Sequence, residues 1–263
     1  MRALALLWSL GPLLWQLRTS LLPADALVGQ GPSALTLENY RLVLSGDPPL
    51  WASLRNSCLV GVGTTVLTLC LALPCAYALQ RHRGGLLGWA VGAILLAASL
   101  FPTVLLFLGL LEIARSLHLA NSLTALCLPY TALALPLAIL ILRAAIAELP
   151  PELEDAARLE GLALGQRLRS VLLPLLAPAL ASTAILTFLA SWNEYPIALT
   201  WISRVDRLTL PTAMARLAGS SVFTVPYGAF AAATVLGSLP LLLLVLVAQR
   251  WIISGLTQGA VKG

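Results

Sequence analysis

Long apolar runs alternate along the chain with short breaks rich in proline, glycine or charge. Six of the runs approach or exceed the roughly 20 residues that a helix needs to cross a bilayer. The expected spans are 3–22, 57–79, 86–111, 123–142, a fifth inside 171–202, and 227–252. Continuous runs of this kind differ from the alternating segments of about ten residues that build a transmembrane barrel. Between the first two spans, residues 19–50 read as loop, with Pro23, Gly29, Gly31, Pro32, Gly46, Pro48 and Pro49 as breakers. The first run is interrupted by Gln16 and Arg18. With Arg2 ahead of it and Ala24-Asp25-Ala26 behind it, it reads either as a span or as a signal peptide with a small-residue cleavage site.

The fifth run is too long for one straight crossing. From Val171 to Ile202 it would measure on the order of 48 Å as a helix, against a hydrocarbon layer of about 30 Å. It should bend or break, and Trp192-Asn193-Glu194-Tyr195-Pro196 is the expected place. Proline removes a backbone hydrogen bond and biases the residue before it away from helical geometry. Glu194 is the only acid expected near membrane depth, where an ionisable group is a functional candidate by default. Trp192, Asn193, Glu194 and Tyr195 together offer aromatic faces and hydrogen-bonding groups of the kind a sugar takes. The competing reading has Trp192 and Tyr195 packing at the outer interface while Glu194 reaches water.

Between the fourth and fifth spans the pattern turns polar. From Glu148 to Arg169, with the flanking Arg143, the chain carries five acidic and four basic residues and must sit in water. Pro150 and Pro151 suit a helix start, and Glu152, Glu154 and Asp155 set negative charge against the positive end of the helix dipole. Glu154 also precedes Arg158 by four residues, the favoured order for a surface ion pair. Leu153, Ala156, Ala157 and Glu160 are expected on one face, kept low by the two alanines so that another backbone surface can approach. Gly161 lets the chain turn, and a second helical pattern leads from Leu162 through Val171 and Leu173 to Pro174. The expected object is a small docking knob between two membrane helices. A plain solvated linker would account for the charge but not for this order of residues.

Asp155-Ala156-Ala157-Arg158-Leu159-Glu160-Gly161, followed after nine residues by Val171-Leu172-Leu173-Pro174, resembles the EAA motif of binding-protein-dependent ABC importer permeases. Asp155 stands where that family usually has Glu, and Glu160 where it usually has Asp; both changes keep the charge. The tail from Ser254 to Gly263 and the pairs Asn39-Tyr40 and Asn56-Ser57 are similar to the carbohydrate permeases of the maltose and trehalose type, and the likeness extends from about Leu35 to the last residue. It implies an all-α polytopic fold of about six transmembrane helices, a type I importer permease in one domain, residues 1–263, with both termini in the cytoplasm of a bacterial or archaeal cell. It also implies that the loop 148–172 is a cytoplasmic coupling helix, with Asp155, Ala156, Ala157, Glu160, Gly161 and Pro174 acting toward an ATPase. Gln258, Gly259 and Lys262 in the tail would contact the ATPases as well. The external loop 203–226, with Gly219, Ser220 and Ser221, would reach the sugar-binding protein. The implied partners are a second homologous permease, two ATPase subunits, an external sugar-binding protein, membrane lipid and the sugar. ATP and magnesium would sit on the ATPases, with no cofactor and no metal on this chain.

Composition agrees with a membrane protein: 59% of the 263 residues are hydrophobic and only 10% charged, against about 25% charged in soluble domains. The net charge of +5 comes from arginines scattered among loops, which lack the stripe or motif of a nucleic-acid binder. Arg81, His82 and Arg83 make a compact basic turn expected on the cytoplasmic side. The wider bias is weak, nine basic residues expected inside against seven outside. Trp51, Trp89, Trp201 and Trp251 fall near span ends, as interfacial anchors do. Cys58, Cys70, Cys75 and Cys127 lie in apolar runs without metal or redox spacing, and His82 and His118 stand apart in loops. The only lysine, Lys262, lies outside any phosphate-binding loop, so the chain is expected not to be an enzyme. The leading expectation is the permease subunit of an ATP-driven importer for a disaccharide such as trehalose or maltose; a proton-coupled secondary transporter using Glu194 is the alternative.

Overall fold

The computed structural model of the chain describes residues 2–27, 29, 34–81, 86–102, 105, 107–218 and 226–260, and among these the regular structure is helical throughout. α1 (Arg2–Ser20), the short α2 (Ala24–Leu27) and α3 (Glu38–Ser45) lead to α4 (Leu50–Arg81), α5 (Leu86–Ser99) and α6 (Phe107–Ser116). α7 (Leu123–Glu148) runs into the polar segment, which contains α8 (Pro151–Leu159), α9 (Leu164–Arg167), a π-helical turn (Leu168–Leu172) and α10 (Leu173–Leu175). α11 (Ala177–Trp192), α12 (Pro196–Trp201), α13 (Leu210–Ala218) and α14 (Tyr227–Ala260) complete it.

The centre of the bundle is the pair α4 and α7, with α11 against both, α14 beside α11, α1 on α14, and α5 on the other flank of α7. Small side chains line the buried side of α4, which meets α7, α11 and α13. Ser53, Ser57, Gly61, Thr64, Thr68, Ala72 and Ala76 recur at three- or four-residue steps along α4, and all are buried. In a bilayer, where lipid is as apolar as leucine, a stripe of small residues lets two helices meet closely and gain packing. The opposite face of α4 carries exposed Leu59, Val62, Val66 and Leu71, suited to lipid. Pro74, Pro129 and Pro136 lie inside α4 and α7 without ending them. Neighbouring helices make such interruptions tolerable in membranes.

Among the described residues, three helices are long and apolar enough to cross alone: α4, α7 and residues Tyr227–Gln249 of α14. The fifth run is bent by 79° between Leu164–Leu175 and Ala177–Trp192, so it holds a second break ahead of the one expected at Trp192 to Pro196. α1 and the pair α5 and α6 lie where the remaining two crossings were expected, the pair divided around Pro102. α4 starts seven residues before the expected 57, directly after Pro48 and Pro49, because Leu50 and Ser53 find buried positions against the bundle. α6 extends to Ser116, past residue 111 where the third span was expected to end. The backbone of α14 continues as helix to Ala260, where a separate tail from 253 was expected. Ala24-Asp25-Ala26 lies within α2, and α1 packs along α14.

Candidate functional site

The polar knob is built by its end residues. Pro151 opens α8 with Glu152 and Glu154 in the first turn. At the other end Leu162 N donates to Ala157 O at 3.1 Å and Gly161 N to Arg158 O at 2.9 Å, while Gly161 sits at φ +81°. This is a Schellman ending, which requires a left-handed residue where glycine costs least. Ala156 and Glu160 stay exposed, with Leu153 42% and Leu159 91% exposed. Ala157 departs from the expected docking face: it is buried inside this chain, three residues on from a buried Glu154. Asp155 is exposed and lies 3.9 Å from Arg158. Pro174 is exposed in α10, before the bend at Leu176 rather than on the knob.

Glu154 is the residue whose importance the sequence hid. Only 6% exposed, it receives the Tyr77 hydroxyl and Arg167 Nη1 (3.2 Å) on Oε1, with Arg158 Nη2 3.7 Å away, and Arg81 pairs with Oε2. Arg81 also lies over the Tyr77 ring, 5.4 Å from its centroid. The helical spacing to Arg158 was legible; the partners on α4, 77 positions away for Tyr77, were not.

The expected break falls where proline placed it, between Trp192 and Pro196. Glu194 closes that break: Oε1 accepts Ile197 N at 2.8 Å, and Oε2 accepts Ala198 N at 3.1 Å and the Tyr130 hydroxyl at 2.5 Å. A carboxylate at the start of a helix meets unpaired N–H donors and the positive end of the dipole. Asn193 caps the end of α11 by donating to Leu189 O at 2.8 Å. Glu194, Asn193 and Tyr195 line a cavity of about 390 Å³ between α7 and α11, within the range typical of small-molecule sites. Tyr130, Thr183, Thr187 and Ser99 add polar groups to it. Thr183, Thr187 and Ser191 recur every fourth residue in an apolar span, and that polar stripe is the signal by which the sequence could have disclosed this wall. Trp192 does not line the cavity. It is 3% exposed, stacked on Phe188 at 5.5 Å, in a cluster with Val43, Leu50, Leu210 and Ala232. Trp201 is likewise core, 4% exposed, and not an interfacial anchor, whereas Trp51 and Trp89 are exposed.

The end of the bundle opposite the knob is held by two asparagines. Asn56, 1% exposed, donates to Asp206 O (3.1 Å) and Leu208 O (3.0 Å), and next to it Ser57 Oγ accepts Leu210 N (2.7 Å). Asn121, at φ +60°, accepts Ser203 N (2.7 Å) and Arg204 N (2.9 Å), and its own carbonyl accepts from Arg207. On the exposed loop, the hydrogen bond from Arg204 holds the Asp206 carboxyl below its usual range, and the same bond raises the Arg204 guanidinium. Gly219, Ser220, Ser221 and Lys262, with His82 and Arg83, lie outside the described residues; Gln258 and Gly259 fall on the last turns of α14. Among the described residues, no three His, Cys, Asp or Glu side chains gather as a metal would need.

A family model described as "Binding-protein-dependent transport system inner membrane component" matches residues 68–258. The chain is 40% identical over 260 residues to the trehalose transport system permease protein SugB of Mycobacterium tuberculosis, covering 97% of this chain and 93% of that protein. It is 35% identical over 257 residues to the diacetylchitobiose uptake system permease protein DasC of Streptomyces coelicolor, covering 96% and 91%. Among solved structures, a chain of a bacterial ABC transporter involved in the import of the acidic polysaccharide alginate superposes with a TM-score of 0.79 at 22% identity, covering 95% of this chain and 93% of that one. That likeness bears on the fold alone.

Proposed function

This chain belongs to the binding-protein-dependent transport system inner membrane components, and on that premise we propose that it is the permease subunit of an ATP-driven sugar importer, acting as one transmembrane domain on a disaccharide such as trehalose or maltose. It is a multi-pass inner-membrane protein. The observation that carries the reading is the knob: a polar helix that leaves Leu159 91% exposed in water while its other face is anchored by a buried carboxylate. Leu159 shares the exposed surface of α8 with Leu153, Ala156 and Glu160, a mixed apolar and charged surface of the kind a protein partner covers. Asp155, Ala156, Leu159, Glu160 and Gly161 seat the knob in an ATPase subunit; Pro174 and the end of α14, with Gln258, Gly259 and Lys262, support that contact. A second related permease completes the pathway, two ATPases bind ATP and magnesium, and a sugar-binding protein delivers substrate near Gly219, Ser220 and Ser221. Closure of the ATPase pair moves the knobs and exchanges outward for inward access, the energy entering as differential binding to the two states. Asn193, Glu194 and Tyr195 face the sugar path.

Relatives named for trehalose and for diacetylchitobiose support a sugar and leave its identity to experiment. The proton-coupled alternative gains nothing from the geometry, since three donors occupy the two Glu194 oxygens. The test is uptake of radiolabelled trehalose, maltose and diacetylchitobiose into vesicles holding the reconstituted complex. Uptake that needs ATP and the ATPase subunits supports the reading; uptake driven by a proton gradient in their absence overturns it.

A further inference from the structure

The knob is joined by chain to α7, through Leu149 and Pro150, and to α9, through residues 160–163. Neither connection reaches α4, the other half of the central pair. What reaches α4 is Glu154. Its carboxylate gathers a hydroxyl and a guanidinium from the end of α4 (Tyr77, Arg81), a guanidinium from α9 (Arg167) and one from α8 itself (Arg158). Tyr77 is in turn buried in a cluster with Ala72, Ala138, Ile139, Leu142 and Leu172, so it belongs to the packed contact between α4 and α7. A displacement of α8 thus reaches the end of α4 through the Glu154 carboxylate, besides its chain connections to α7 and α9.

We propose that Glu154 is a positioning residue through which the knob drives α4: its ion pair with Arg81 and hydrogen bond from Tyr77 make α8 and the end of α4 move as one body. The proposal rests on the reading of α8 as an ATPase-docking helix and deepens it. Two features distinguish a link from a surface decoration. The Glu154 side chain is 7% exposed, that of Arg167 13% and that of Arg81 32%, so water screens these contacts less than the Arg158–Asp155 pair, which is half exposed or more on both sides. The charge is also unbalanced, one carboxylate among three guanidiniums, so a neutral side chain at 154 leaves Arg81 and Arg167 opposed and pushes α4 and α9 apart. Residues in one such network couple energetically, and their variants do not add.

The experiment compares the complete reconstituted complex carrying Glu154→Gln, Arg81→Gln, both together, or Glu154→Asp, with as probe whichever of radiolabelled trehalose, maltose and diacetylchitobiose the unmodified complex takes up. Three quantities are read: co-purification of the ATPase subunits, ATP hydrolysis, and sugar taken up per ATP. ATPase should co-purify with each variant, while uptake per ATP falls about tenfold in Glu154→Gln and Arg81→Gln, a factor typical of coupling between sites. The double variant should be no worse than either single one, and Glu154→Asp, which keeps the charge, should recover most of the yield. A purely stabilising role would lower assembly and hydrolysis together and leave uptake per ATP unchanged, which overturns the proposal. Additive losses also overturn it. If the unmodified chain binds no ATPase, the proposed function falls with it; if ATPase binds and Glu154→Gln keeps the normal yield, only the Glu154 link falls.

Discussion

Tyr130 on α7 donates a hydrogen bond of 2.5 Å to Glu194, the residue that closes the break between α11 and α12. One carboxylate thereby does two things: it satisfies the first N–H groups of α12 and it joins the interrupted crossing to the centre of the bundle. The same group forms part of the cavity wall.

Removing the carboxylate should therefore cost more than removing the hydroxyl. Glu194→Ala frees Ile197 N, Ala198 N and the Tyr130 hydroxyl, and each buried group left unpaired costs about 1–3 kcal/mol. Tyr130→Phe leaves Glu194 its two backbone donors. In thermal unfolding of the purified chain, Glu194→Ala should melt well below Tyr130→Phe, and its sugar uptake should fall while the ATPases remain bound. Equal melting temperatures would show that the backbone donors find water and that the cap contributes little.

Gly161 should tolerate substitution according to backbone preference and not size. A Cβ there meets nothing within 4 Å, yet the residue sits at φ +81°. A left-handed conformation costs a side-chain-bearing residue roughly 1–2 kcal/mol, and asparagine is the one that bears it best. Gly161→Asn should keep most coupled uptake, Gly161→Ala less, and Gly161→Val least, with insertion into the membrane unchanged. Equal activity of the asparagine and valine variants would count against a Schellman ending as the reason for the glycine.

The knob shows what a sequence discloses and what it withholds. Its start at Pro151, its stop at Gly161 and the break before Pro196 were legible because proline and glycine act on their own backbone. The face it presents was misjudged at Ala157, because helical spacing says which residues share a side and not which side a distant element will cover. Glu154 was read as a surface acid for the same reason. Its burial depends on Tyr77 and Arg81, brought there by the packing of α4 against α7. Trp192 misled differently: its neighbours Asn193, Glu194 and Tyr195 line the cavity, but the last turn of α11 directs the ring into the cluster with Val43 and Ala232. The 79° bend after Leu175 had a similar mark in Pro178, which stands in the first turn of α11 as Pro151 does in α8, but the apolar run on both sides of it reads as continuous.

Asn56 should prove a structural requirement of the end opposite the knob. Its amide holds the carbonyls of Asp206 and Leu208 from a position 1% exposed. Asn56→Ala leaves both carbonyls short of a donor, at about 1–3 kcal/mol each. Asn56→Asp keeps the shape but sets a carboxylate oxygen against the two carbonyls, and should be the worse of the two. Limited proteolysis of the purified chain offers the readout: cleavage after Arg204 and Arg207 should speed up in both variants, most in Asn56→Asp. Cleavage at the wild-type rate in Asn56→Asp would mean that the loop is held by Asn121 alone.

The last prediction concerns how α1 is held. Asn39 on α3 donates to Ser20 O at 3.0 Å and Leu22 O at 2.8 Å, and Tyr40 shares a hydrogen bond of 2.7 Å with Ser20 Oγ, so the end of α1 is tied to α3. Asn39 in turn lies against Gly228 in the first turn of α14, where an added Cβ would stand 2.6 Å from both its amide nitrogen and its amide oxygen. No real contact is that close, and the amide cannot withdraw without giving up the carbonyls it holds. Gly228→Ala should thus act as a loss of the Asn39 hydrogen bonds, lowering the melting temperature although alanine is the better helix former by about 1 kcal/mol. Combining it with Asn39→Ala removes the obstructed group, so the pair should be little worse than Asn39→Ala alone, the non-additivity expected of residues in contact. If Gly228→Ala instead raised the melting temperature, helix propensity would outweigh the contact, and the joint between α1, α3 and α14 would have to rest on Tyr40 and Ser20.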